Sequence, residues 1–233
     1  EISCSLVGSE MCIRDRIIQL NKDKLRGAYK KRIMEILKMR KEENVIRYYV
    51  LCNKLKSVIR TGWKDWHVNA ERIESVAEHI YGVQMLAIAI QSEYQYNIDL
   101  NKVIMMLAVH ELEEILIGDL TQFQISKAEK IIIGHKAVEN VLGDLLYKDE
   151  IKNLILEFDE RKSSEALFAH YCDKLECDLQ SRIYDEKGYV DLKNQEGNET
   201  YNDPIVQKYI KSNMSWSETV SYTHLRAHET AAN

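Results

Sequence analysis

A single proline, Pro204, and nine glycines are all that interrupt 233 residues dominated by Leu, Ile, Lys and Glu. Proline removes a backbone donor and glycine loses the most conformational entropy on ordering, so a chain this poor in both has little to stop its helices. Apolar residues fall in stripes at helical spacing, as in Ile33, Ile36 and Leu37, then Val45, Ile46, Tyr49 and Val50. The expected fold class is all-α. Apolar residues make up 45% of the chain and charged residues 30%, a globular balance with enough length to build a core without crosslinks.

The formal net charge of -5 is mild and by itself points to neither nucleic acid nor a membrane surface. Lys22 to Lys41 is the local exception, with nine Lys or Arg against two acids, and it reads as a solvated helix face. Five cysteines, with no CxxC pair, suggest reduced thiols and a cytoplasmic protein. No apolar run reaches the length of a membrane span, and no basic-then-apolar signal pattern opens the chain. Residues 1–16, "EISCSLVGSEMCIRDR", and 220–233, "VSYTHLRAHETAAN", lack helical periodicity and resemble translated sequencing adapter. They are set aside as non-native tails, which leaves a single domain expected over residues 17–219.

Within that domain, helices are expected in two segments up to Ser57, then from Ser75, where Glu78 supplies a capping-box partner, through "VAEHIYGVQMLAIAI". A second central helix is expected from Lys102 to Ile117, stopped at Gly118. Further helices are expected over Ser126 to Tyr147, Glu150 to Phe158 and Ser163 to Tyr184, with a short one after Pro204. Arg60 to Ser75 reads as an ordered loop, and Asp185 to Asp203 as the longest irregular stretch.

The segment "AVHELEEILIGDL", Ala108 to Leu120, puts His110, Glu111, Glu113, Glu114 and Asp119 among buried-helix residues. Burying charge without a partner costs several kcal/mol or more, roughly, so these acids either turn to water or hold a cation. On a continuous helix His110 and Glu114 share a stripe, with Glu111 at its edge. His79 is sunk in "SVAEHIYGV", and Asp173 lies in "AHYCDKLECDL" among apolar turns. Two imidazoles and two carboxylates from three helices make a mixed nitrogen and oxygen donor set. Such a set suits a divalent ion such as Mn, Co, Fe, Ni or Mg, with Zn also compatible.

In this order, "RTGW", "RIESVAEH", "HELEEILIGD" and "DKLE" resemble the HD-domain metal-dependent phosphohydrolases, and within them the 5′-deoxynucleotidases, over about Asn44 to Tyr184. The resemblance implies an HD-domain helical bundle. It implies metal ligands at His79, His110, Glu111 and Asp173, a catalytic glutamate at Glu114, and substrate contacts at Arg60, Trp63 and Asp119. It also implies a nucleoside monophosphate as substrate, attacked by metal-activated water, and a homodimer. Two departures stand out. Thr61 and Gly62 separate the arginine from the tryptophan, and Glu111 replaces the family's aspartate. The longer glutamate either binds the ion directly, binds it through water, or leaves an inactive site; direct binding is the expectation.

Two other readings remain at this level. One is a non-catalytic regulatory module that holds nucleotide or metal; the other is a phosphohydrolase acting on another phosphomonoester or an alarmone. An H-E-x-x-H zinc motif is excluded because position 114 is Glu. Trp66 reads as a core anchor and His170 as a residue outside the ligand set. His135 reads as a ligand only in a multi-metal arrangement. Glu113 and Glu176 read as solvent-facing, and Cys172 and Cys177 as small core residues.

Overall fold

Serines set where the long helices begin, Ser163 capping the helix Ser164–Glu186 through the Ala166 N–H. Ser75 accepts from the Glu78 N–H while the Glu78 side chain reaches back to the Ser75 N–H, and Ser126 makes the same reciprocal pair with Glu129. Each box satisfies two of the amide donors that a helix start leaves over. The computed structural model describes residues 43–121 and 124–193. The basic run at residues 22–41, both terminal segments and the helix expected after Pro204 lie outside the described residues.

The described helices, in chain order, are α1 (Asn44–Cys52), α2 (Thr61–Asp65), α3 (Val76–Tyr94), α4 (Leu100–Val109), α5 (Glu114–Ile117), α6 (Lys127–Leu142), α7 (Lys148–Glu160) and α8 (Ser164–Glu186), with a 3-10 turn at Asn53–Lys56. No strand is formed among the described residues. The one extended pairing is an isolated antiparallel bridge between Ile59 and Ser75. The all-α expectation therefore holds, and packing divides the chain into two units.

One unit comprises residues 59–110 and 153–193 of the described chain. Helices α3, α4 and α8 pack against one another there. Val83, Ala87, Val103, Met106, Leu107, Ala169 and Cys172 are fully buried along that packing, and a buried Leu or Met contributes roughly 1.5–3 kcal/mol. A smaller cluster of Trp63, Val68, Tyr184, Val190 and Leu192 closes the segment that precedes α3.

The other unit comprises residues 43–58 and 111–152. Its helix α6 packs on α1 and α5, and α5 also meets the 3-10 turn. Two buried cations are anchored here by backbone carbonyls. Lys54 Nζ donates to the Ile115 carbonyl at 2.5 Å. Arg47 donates to Val141 at 2.9 Å and also to Asn140, covering the carbonyls that the end of α6 leaves unbonded.

The structure departs from the expected continuous helix over Lys102 to Ile117. α4 ends at Val109, the chain turns through 110–113, and α5 starts at Glu114. The Glu114 and Ile115 N–H groups donate to Glu111 and Leu112, 3.2 and 3.3 Å away, three-residue steps that tighten the backbone out of α geometry. His110 and Glu114 thus occupy two helix ends and not one stripe. Gly118, at φ 76°, then ends α5 in a backbone region that favours glycine.

Because the α3 cap fixes the first turn of the helix that bears His79, Ser75→Ala is expected to cost about 1 kcal/mol and to lower Tm by about 2–4 °C. Differential scanning calorimetry checks this.

Candidate functional site

His79 is completely buried on the first turn of α3. A buried imidazole needs a partner at each nitrogen, and α8 supplies both. Nδ1 lies 2.6 Å from Glu176 Oε2, and Nε2 lies 3.1 Å from Asp173 Oδ1. Asp173 and Glu176 are three residues apart on α8, so one turn presents both carboxylates to the same ring. Burial and Arg60 would lower the His79 pKa, but hydrogen bonds to Asp173 and Glu176 outweigh them and raise it to about 9. For Asp173, burial works against ionisation. Lys174, whose Nζ is 3.3 Å from Oδ2, and His79 overcome it and hold the carboxyl well below the usual range.

His110 closes the C-terminus of α4 with its ring 5.8 Å from that of His79, centroid to centroid, and 5.0 Å from that of Phe158. Its Nδ1 lies 2.8 Å from the Leu107 carbonyl. A carbonyl only accepts, so Nδ1 carries the proton in this contact.

These donors fit a divalent ion. Two ligand atoms about 2.1 Å from one ion and at right angles are about 3.0 Å apart, and His79 Nε2 and Asp173 Oδ1 are 3.1 Å apart. In the metal-free protein a proton on Nε2 bridges that gap. An ion there would replace the proton, while Glu176 at Nδ1 fixes the ring orientation. Gly82, one turn after His79, leaves room for this. A Cβ at that position would meet Glu176 Oε1 at 2.8 Å.

A layer of polar residues backs the histidine. Glu74 Oε2 accepts from Trp63 Nε1 at 2.7 Å, and the Glu74 N–H donates to the Tyr184 hydroxyl at 2.9 Å. Burial first, then repulsion from Glu176, raises the Glu74 carboxyl to about 7 against the Trp63 hydrogen bond. Trp63 is buried edge-on to Trp66 and Tyr184. The core anchor is therefore Trp63, with Trp66 half-buried beside it. Arg60 precedes α2, and the pairing of its N–H with the Glu74 carbonyl at 3.1 Å ties it to the start of α3. Its Nη2 donates to Cys177 Sγ at 3.1 Å.

In the other unit, Glu114 is the first residue of α5 and is 1% exposed. Its Oε1 is 3.4 Å from Lys130 Nζ, which also donates to the Leu120 carbonyl at 3.1 Å. Oε2 has no hydrogen-bond partner among the described residues. Burial, then the charges of Glu111 and Asp119, push the Glu114 carboxyl well above the usual range, and Lys130 opposes them. Asp119 follows Gly118 and is buried. Glu111 opens the second segment of this unit, directly after His110 in the chain.

Of the residues expected from sequence, His79, His110, Asp173, Arg60 and Trp63 fall in one unit, and Glu111, Glu114 and Asp119 in the other. Two readings are corrected. Glu176 is buried against His79 and does not face solvent, and Cys177 meets Arg60 and is not a mere core filler. Glu74 and Lys130 were not singled out at all. Glu176 and Cys177 carried a usable signal in their positions three and four residues after Asp173. Lys130 carried none, since sixteen residues separate it from Glu114. His170, stacked on Phe158 at 3.8 Å and bonded to Arg161, stays outside the histidine and carboxylate group.

Comparison with known proteins gives a consistent result. The family model described as "HD domain" matches residues 52–218. The 5′-deoxynucleotidase HDDC2 of Dictyostelium discoideum is 34% identical over 152 residues, which is 62% of this chain and 79% of that protein. The same-named protein of Danio rerio is 32% identical over 62% of this chain and 71% of its own length. Among solved structures, a predicted metal-dependent phosphohydrolase from Magnetospirillum magnetotacticum superposes with a TM-score of 0.57 at 20% identity, covering 81% of this chain and 92% of that one, and shares the fold.

Without metal, the stability of this site is tied to protons. Glu74 is raised from 4.5 to about 7 and His79 from 6.5 to about 9. Stability from each is therefore full below its unfolded pKa and lost as pH rises through its folded one. Metal-free protein should lose on the order of 5–10 °C in Tm between pH 5 and pH 9, and saturating divalent metal should flatten the high-pH half of that profile. A metal-free Tm that rises over this range would contradict the arrangement.

Proposed function

The chain belongs to the HD domain family, and from that premise we propose that it is a divalent-metal-dependent phosphohydrolase that removes the 5′-phosphate of deoxyribonucleoside monophosphates. The observation that carries the reading is His79 oriented at Nδ1 by Glu176 with its Nε2 facing Asp173 at 3.1 Å. That is a ligand pair already organised for an ion. The substrate class rests on the names of the curated relatives, 5′-deoxynucleotidases.

His79, His110 and Asp173 are the proposed ligands, with Glu111 as the fourth. Mn, Co, Fe, Ni and Mg suit this mixed donor set. When bound, the ion supplies Lewis acidity: it makes water nucleophilic at neutral pH and draws charge from the phosphoryl oxygens. Arg60 binds those oxygens through its planar fork of donors. Glu114, whose carboxyl burial and neighbouring acids shift toward the protonated form, gives its proton to the leaving 5′-oxygen as the bond from that oxygen to phosphorus breaks, and recovers one from the attacking water. Asp119 accepts a hydrogen bond from the sugar hydroxyl. Trp63, locked by Glu74, supports the segment that presents Arg60.

No helix among the described residues is long and apolar enough to cross a membrane. The proposed setting is the cytoplasm. The homodimer reading is supported by α1, where Val45, Ile46 and Tyr49 are exposed apolar residues.

Purified protein with Mn or Co should release phosphate from deoxyribonucleoside monophosphates. Glu114→Gln should lower kcat by about 100-fold or more while leaving metal content unchanged, whereas His79→Ala should lose the metal. Equal turnover by Glu114→Gln would contradict the assigned role, and nucleotide binding without phosphate release would favour a regulatory module.

A further inference from the structure

We propose that Cys177 is a sulfur ligand of the same ion, which gives this centre a nitrogen, oxygen and sulfur donor set and admits thiophilic divalent cations such as Zn, Co and Cd. The inference rests on the metal-centre reading above and adds a donor to it.

Cys177 stands four residues after Asp173 on α8, so one helical turn sets the two side chains on the same face. Its Sγ, a ring nitrogen of His79 and a carboxylate oxygen of Asp173 all lie within 4.8 Å of one another. Donors about 2.1–2.3 Å from a common ion are roughly 3–4.5 Å apart, depending on the angle between them. The three atoms therefore need only a small adjustment to share one ion. Histidine nitrogen, carboxylate oxygen and thiolate sulfur each have a place among zinc ligands.

Arg60 supplies the second observation. Guanidinium has no acceptor, so in the 3.1 Å contact between Nη2 and Sγ the sulfur accepts. Burial pushes the Cys177 thiol up to about 12 with Arg60 opposing it, so the proton leaves only when a cation takes its place, and a donor outside the ligand set tunes the ligand it touches. An alanine would fill part of the same space without offering Arg60 an acceptor. Binding breaks the S–H bond, forms a sulfur–metal bond and releases the proton to solvent, with no change of oxidation state. Sulfur is a soft donor, so it shifts selectivity toward Zn and Cd and away from Mn and Mg.

The test is a titration of the metal-free protein with Co(II), followed by absorption spectroscopy. Wild type should show visible d–d bands together with a near-ultraviolet sulfur-to-cobalt charge-transfer band. Cys177→Ser should keep the d–d bands, lose the charge-transfer band and bind Cd about tenfold more weakly, with Mn affinity nearly unchanged. Either of two results overturns the proposal: wild type with d–d bands but no charge-transfer band, or a charge-transfer band that survives in Cys177→Ser. Absence of every cobalt band in wild type overturns the metal centre itself, and is thereby distinguished from failure of the sulfur ligand alone. A second substitution, Cys172→Ser, should leave both band sets in place.

Discussion

The placement of one buried imidazole between two carboxylates ties α3 to α8. His79 has no access to water, so Asp173 and Glu176 must satisfy both ring nitrogens. The two acids differ in task because the two nitrogens do. Glu176 at 2.6 Å fixes the ring, and Asp173 at 3.1 Å faces the nitrogen from which a cation can displace a proton. Two helices make this contact, α3 bringing the ring and α8 both acids, and α4 ends on a second histidine whose ring centre is 5.8 Å away. Even the close passage of α3 and α8 is set by it, since Gly82 is the position where a side chain would push Glu176 away.

The acids of the Glu111 to Asp119 segment answer to a different balance. Glu114 is buried beside like charges, which would be unfavourable with nothing to offset them. Lys130 supplies the offset and, through the Leu120 carbonyl, also fastens the turn that carries Asp119. A lysine thus holds the glutamate in place without neutralising its raised pKa. Burial among like charges favours the protonated form of this carboxyl.

Much of this was legible in the sequence because burial of a charge is improbable unless something holds it. His79, His110 and Asp173 stood out by lying in apolar helical turns, and the Ser75 and Glu78 box was readable as a local pattern. The interrupted helix at 110–113 was not, because no glycine or proline marks it. The break comes from three-residue hydrogen bonds within apolar and acidic sequence that favours helix equally well. The burial of Trp63, with Trp66 packed half-buried beside it, was not readable, for a related reason. Two tryptophans three residues apart are equivalent in composition, and the carboxylate that Trp63 meets lies eleven residues further along the chain. Lys130 shows the general limit: a partner that arrives from another helix has no signature near the residue it serves.

The direct test of the central claim is anomalous diffraction from crystals grown with Mn. A single strong peak should lie about 2.0–2.3 Å from His79 Nε2 and from Asp173 Oδ1, with His110 Nε2 also in the coordination sphere. A fully occupied ion elsewhere, or none at millimolar Mn with the His79 to Asp173 hydrogen bond intact, would contradict the account.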